Sequence, residues 1–193
     1  VGDDQIALLE KLCNATAVSG DEFEVRQIVL EEIKGLVDEV KVDALGNVLV
    51  TKFGRAENRA RVMLAAHMDE IGFMIVKKHD DNLFQFECVG GIDVRQIPGK
   101  SVLVGRDHLP GVIGAKPIHM TTAKERKEKI DLSTMRIDLG PDIGDKVKAG
   151  DRATFATRFE MIGPSIRAKA LDNRFGVATL IELLKHAPAN IDL

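Results

Sequence analysis

Polar and apolar positions in the first forty residues recur at helical spacing. Asp4 to Cys13 (DQIALLEKLC) is amphipathic on a 3.6-residue period and predicts a helix. Glu22 to Val37 predicts a second, with Val25, Ile28, Val29, Leu30, Ile33 and Leu36 forming the buried stripe. The loop before it carries an N-cap signature, Ser19 or Asp21 followed by acids in the first turn. The period then falls to two. Val40 to Phe53 predicts two strands around a hairpin-like turn at Leu45-Gly46-Asn47. Arg61 to Ile75 (RVMLAAHMDEIGFMI) opens as an apolar run, too short to cross a membrane and the right length for a buried, central strand over Arg61–Ala66.

From Phe73 to Gly163 short β-type runs recur (FMIVKKH, LFQFECV, SVLVG, GVIGA, MRIDLG and RATFATRFEMIG), separated by Gly and Pro turns. Such spacing predicts a small barrel or curled sheet. Thr121 to Ser133 is a charged excursion with helical character. A helical period returns from about Arg174 to His186, with Val177, Leu180, Ile181 and Leu184 on its apolar face, after a short strand over Ser165–Leu171. Ala187-Pro188 stops that helix, and Ile191–Leu193 starts a strand. The fold class is therefore α/β: residues 1–72 and 164–193 form an α/β domain, and residues 73–163 form a β-rich lobe inserted into it.

A composition of 45% hydrophobic and 30% charged residues, with net charge -3 over 193 residues, is that of an ordinary globular chain. The near balance of charge excludes a general nucleic-acid binder. Lys124–Lys129 (KERKEK) mixes signs and reads as a solvated face. No signal peptide or membrane span is predicted, and Cys13 and Cys88 fit neither a disulfide framework nor a zinc knuckle, which points to a reducing cytoplasm.

The chemistry is concentrated where the apolar run ends. In an extended chain His67 and Asp69, two residues apart, project to the same side. The carboxyl end of a buried strand is also where open α/β sheets place their sites. A core histidine beside a solvated acid and a metal ligand tuned by a carboxylate are both open on spacing alone. His79, His108, His119 and His186 read as surface or turn residues, Met63, Met68 and Met74 as core filling. Arg174 reads either as an electrostatic support or as an ordinary helix-start residue.

An apolar strand ending in His67-x-Asp69, an interposed β lobe, and then Ala170-Leu171-Asp172-Asn173-Arg174 together resemble the M42 family of dinuclear metallo-aminopeptidases. The Ser19-Gly20-Asp21 loop, the Gly46-Asn47 turn and Gly111–Pro117 (GVIGAKP) share the likeness, which covers nearly the whole chain. The resemblance implies a zinc-peptidase-like α/β/α domain, present as its N-terminal part, with a small β-barrel or PDZ-like lobe inserted. It implies two divalent ions, zinc or cobalt, with His67 on one ion and Asp172 bridging both. Asp69 would orient the site without being a primary ligand. A cis peptide between Asp172 and Asn173 is implied as well, as are peptide substrates cut from their N-terminus and a homo-oligomer in which dimers assemble to a dodecamer.

The family's Glu-Glu pair, which holds the general base, and its later Asp and His ligands have no counterpart here. The expectation is an N-terminal portion of a longer enzyme, inactive alone, with residues after Leu193 supplied in the same or an accompanying C-terminal complement chain. Two other readings stay open. Some family members are labelled endoglucanases, and Asp69 with Asp172 would then act as a glycosidase pair, leaving His67 without a task. A non-catalytic assembly or binding protein would use the β lobe as its interface.

Overall fold

The computed structural model describes residues 2–80, 82–123, 130–141 and 143–193. In chain order its helices and strands are α1 (Asp3–Asn14), α2 (Phe23–Glu32), β1 (Glu39–Val42), β2 (Val48–Thr51), β3 (Ala60–Arg61), β4 (Gly72–Asp80), β5 (Leu83–Val89), β6 (Ser101–Val104), β7 (Leu109–Gly114), β8 (Arg136–Asp138), β9 (Arg152–Phe155), β10 (Glu160–Ile162), β11 (Ser165–Arg167), α3 (Leu171–Lys185) and β12 (Ile191–Asp192). They divide into two compact units, Val1–Glu70 with Arg158–Leu193, and Ile71–Thr157.

In the first unit α1 and α2 pack on α3 around Leu8, Leu9, Leu12, Val25, Val29, Ile33, Val177 and Ile181. Helix α2 is shorter than its hydrophobic stripe suggests. It ends at Glu32 rather than Val37, because the chain turns through Gly35 at φ +75°, a left-handed conformation that glycine adopts without steric cost. Nor is Ser19 or Asp21 its cap; the N-cap is Glu22, without a side-chain cap bond. Strands β1 and β2 form the expected hairpin, its connection closed by the Asp43 carboxylate, which accepts from the Leu45 and Asn47 amides (2.9 Å each).

The apolar run after residue 60 departs most from its pattern. It is neither central nor buried: β3 covers only Ala60–Arg61, pairing in parallel with β12. Pairing ends where the Val62 amide donates to the Asp192 carbonyl (2.9 Å), and beyond that Met63 is 87% exposed. Hydrophobicity alone does not bury a strand that lacks neighbours on both sides. The long β run over Arg152–Gly163 is likewise two strands. Its first part, β9, belongs to the second unit, and β10 pairs with β11 as an antiparallel hairpin in the first.

The second unit is a closed antiparallel barrel in the order β4-β5-β8-β7-β6-β9. Its interior is almost wholly apolar, built on Phe73, Ile75, Phe84, Phe86, Val102, Val104, Ile113, Met135 and Ile137. Phe73 packs edge-on against Phe86 and Phe155, ring centroids 5.2 Å apart in each case. The charged excursion from Thr121 contains residues 124–129, which lie outside the described residues; its described end is a single 3-10 turn over Leu132–Thr134.

Candidate metal centre

His67 lies in the irregular stretch that follows β3. Its Nδ1 is 2.9 Å from Asp69 Oδ1, and its Nε2 is 3.1 Å from Asp172 Oδ1. One imidazole thus stands between two carboxylates that the sequence separates by about a hundred residues. A neutral imidazole carries one N–H, so both nitrogens donate only when the ring is protonated. Burial lowers the His67 pKa, but the hydrogen bonds to Asp172 and Asp69 outweigh it and raise the group above its ordinary value. Asp69 Oδ2 accepts from Ser19 Oγ, and that bond, helped by His67 against partial burial, holds the Asp69 carboxyl below the usual range.

Asp172 is presented by an irregular helix start. Ala170 is left-handed (φ 54°), the Asp172–Asn173 peptide is cis as the resemblance implies, and regular helical backbone begins at Arg174. The Asn173 side-chain oxygen accepts from the Gly176 amide (3.0 Å), so close that a Cβ on residue 176 would collide with it. The result leaves the Asp172 side chain 95% exposed, with an oxygen directed at His67.

In kind these donors fit a divalent metal ion. A nitrogen and a carboxylate oxygen converge, and the second imidazole nitrogen is held by a further carboxylate, the arrangement that fixes tautomer and basicity in histidine–metal sites. Among the described residues no group of three or more His, Cys, Asp or Glu side chains is placed to hold an ion by itself.

Of three charged side chains near this pair, the sequence reading weighed Arg174 as an electrostatic support and missed Glu70 and Lys169. Glu70, Lys169 and Arg174 are buried together, with side-chain exposures of 4%, 6% and 0%. Lys169 Nζ donates to both Glu70 oxygens (2.7 and 3.0 Å) and to the Ala15 carbonyl (2.6 Å). Arg174 Nη1 donates to the Leu12 carbonyl (3.0 Å), and its Nη2 lies 3.6 Å from Glu70 Oε1. Burial pulls the Lys169 pKa down, opposed by Glu70. The sequence signal was a charge inside apolar surroundings, Lys169 between two alanines and Glu70 before Ile71. Ser19, read as a cap, instead supports Asp69. His79, His108 and His119 belong to the barrel unit, and His186 ends α3. Cys13 and Cys88 are free thiols, both pushed up in pKa by burial. No described helix is long and apolar enough to cross a membrane.

Comparison with known proteins gives the family. The M42 glutamyl aminopeptidase family profile matches residues 46–192. A protein of Acetivibrio thermocellus, whose name gives a provisional aminopeptidase assignment, is 36% identical over 187 residues, covering 95% of this chain and 54% of its own length. Among solved structures, the TET1 peptidase of Pyrococcus horikoshii, which assembles into a tetrahedron or a large octahedral shell, is 37% identical with a TM-score of 0.79; the match covers 94% of this chain and 56% of that one. A Thermotoga maritima structure named as an endoglucanase is 36% identical with a TM-score of 0.80, over 95% of this chain and 55% of that one. The chain spans about half the length of the curated relatives it matches. With the family profile covering most of its residues, the chain belongs to the M42 glutamyl aminopeptidase family.

Proposed function

We propose that this chain is part of a metal-dependent aminopeptidase that releases residues from the N-terminus of peptides. The observation that carries the reading is the placement of His67, with Nδ1 on Asp69 and Nε2 facing Asp172. In this reading His67 Nε2 and Asp172 would hold two divalent ions, zinc or cobalt, His67 serving one ion and Asp172 both. Asp69 keeps the proton on Nδ1, which leaves the Nε2 lone pair for the ion, and Ser19 keeps Asp69 ionised. When bound, such ions would supply Lewis acidity toward a peptide carbonyl and lower the pKa of water. Catalytic zinc sites use at least three protein ligands, so the centre needs donors and a base besides these residues. A C-terminal complement would supply them and complete a zinc-peptidase-like α/β/α domain beside the PDZ-like barrel.

The shells of the Pyrococcus horikoshii TET1 peptidase and the dodecamer of PhTET1-12s support a homo-oligomer, read here as dimers assembling to a dodecamer. Two unpaired cysteines fit a reducing cytoplasm. The endoglucanase name of the Thermotoga maritima structure leaves a glycosidase in view, but there the imidazole joining both carboxylates has no task. A pure assembly module leaves all three side chains unexplained. The test is release of N-terminal residues from peptides by the protein that contains this chain, with and without chelator. Activity should vanish with chelator, return with zinc or cobalt, and be lost in His67→Ala and Asp172→Ala. Peptide release that survives complete metal removal would refute the metal reading, and chelator-resistant cleavage of a glucan would favour the glycosidase.

A further inference from the structure

Neither half of the His67–Asp172 pair is held by regular structure. The stretch carrying His67 has left its strand partner at Val62, and Asp172 sits on non-helical backbone at a helix start, its side chain almost fully in water. Ala66, Met68 and Leu171 beside them pack on the helical core, but non-directional apolar contact does not by itself fix the distance between the two side chains. Resting on the metal-site reading, we propose that the buried Lys169–Glu70–Arg174 cluster is a positioning tie that fixes the spacing of His67 and Asp172.

The cluster is placed for that task. Glu70 lies three residues after His67, while Lys169 and Arg174 flank Asp172 three residues before and two after it. The Glu70 amide donates to the Ala17 carbonyl (2.9 Å), and its carboxylate accepts from the Ala17 amide (3.1 Å) as well as from Lys169. With Ala15 as the third acceptor, all three Lys169 ammonium protons are used. Arg174 reaches the Leu12 carbonyl at the end of α1. Three chain segments, 12–17, 67–70 and 169–174, are thereby joined at one buried point.

A stability role explains this poorly. Replacing a buried ion cluster by apolar residues of like volume is commonly neutral or stabilising, because desolvation offsets the Coulombic gain. Here Arg174 Nε and Nη2 also have no hydrogen-bond partner among the described residues, a cost that a cluster serving stability alone would not carry. What directional ion pairs add over apolar contacts is a fixed arrangement.

The test replaces the cluster as a unit, Glu70→Met/Lys169→Met/Arg174→Met, beside the milder Glu70→Gln, which keeps shape and loses charge. Nitrogen-15 shifts of the His67 ring are read in the metal-free chain, and cobalt affinity is titrated separately in the protein that contains this chain. The tie predicts that the Nε2 signature of contact with Asp172 is lost, or weakened in Glu70→Gln. The Nδ1 contact with Asp69, inside one segment, should persist. General loosening would move both. Cobalt affinity should fall about 10–100-fold, the usual effect of removing support behind a metal ligand. A folded triple variant with both ring signatures and cobalt affinity unchanged overturns the proposal; if the triple variant does not fold, the same result in Glu70→Gln does so. Should parental cobalt binding prove indifferent to His67→Ala, the metal reading fails, and the metal-free Nε2 signature still decides the tie.

Discussion

The barrel unit and the site-bearing unit solve the same problem in opposite ways. The barrel closes its hydrogen-bond ladder through six strands and fills the interior with apolar side chains. The other unit keeps its strands in two-stranded pairs and shows Met63, Leu64 and Phe175 to solvent. It buries charge instead, and does so beside the candidate site. Closure removes sheet edges and needs no further partner. Buried ions and an irregular helix start belong to a surface organised around chemistry, where locally unfavourable features concentrate.

If the two units are energetically separate, damage to one core should stay within it. Phe73 is the place to test this. It is fully buried, and it pairs with Cys88 on β5 and Ala153 on β9, at the seam that closes the barrel. Phe73→Ala should cost about 3–5 kcal/mol through lost burial and a residual cavity. Hydrogen exchange should show lost amide protection across β4, β5 and β9 with α1 and α3 unchanged. Equal loss in the helices would mean that the units fold as one and that the contrast is only architectural.

Thr154 on β9, between the core-facing Ala153 and Phe155, is also buried and gives a smaller, opposite effect. Thr154 is 1% exposed, and its hydroxyl has no hydrogen-bond partner among the described residues. Thr154→Val keeps the shape and removes an unpaired buried polar group, so it should raise stability by up to about 1 kcal/mol. A fall of that size in thermal unfolding would show that the hydroxyl is satisfied, for instance by a buried water, and that the barrel too relies on polar contacts.

How much of this could be read from the chain follows the same division. Barrel strands announced themselves because alternation and Gly/Pro turns are local signals. Helices α1 and α3 did so because their apolar stripes face one neighbouring core. His67 and Asp69 were legible as a pair, since two residues of extended chain suffice to aim both side chains one way. Asp172 entered through a motif likeness, because no periodicity links it to His67. What could not be read is pairing across distance: Ser19 with Asp69, Lys169 with Glu70, Arg174 with the Leu12 carbonyl. A local pattern reports which face of an element is apolar, not which remote charge will meet it. The Arg61–Ala66 run misled for a related reason. Its burial depends on neighbouring strands that its own residues do not encode.

The finest probe of the contrast is protonation at His67. In the metal-free chain the His67 pKa is raised, so the stabilising contact of its charged ring is fully present below about pH 6.5, the unfolded value, and is lost as pH rises through the higher folded value. Asp69 is depressed, so its contribution is present above about pH 4 and is lost as pH falls through its lower folded value. The two therefore overlap between about pH 4 and 6.5. With 53% of the His67 side chain in water, the stability change is small, about 0.5 kcal/mol or less. The direct measurement is the proton resonance titration of His67, whose midpoint should lie above the ordinary histidine value and move down in both Asp69→Asn and Asp172→Asn. A midpoint indifferent to Asp172→Asn would mean that Nε2 and Asp172 do not meet in solution, and the exposed unit would then be loosely arranged where it is read here as a preset site.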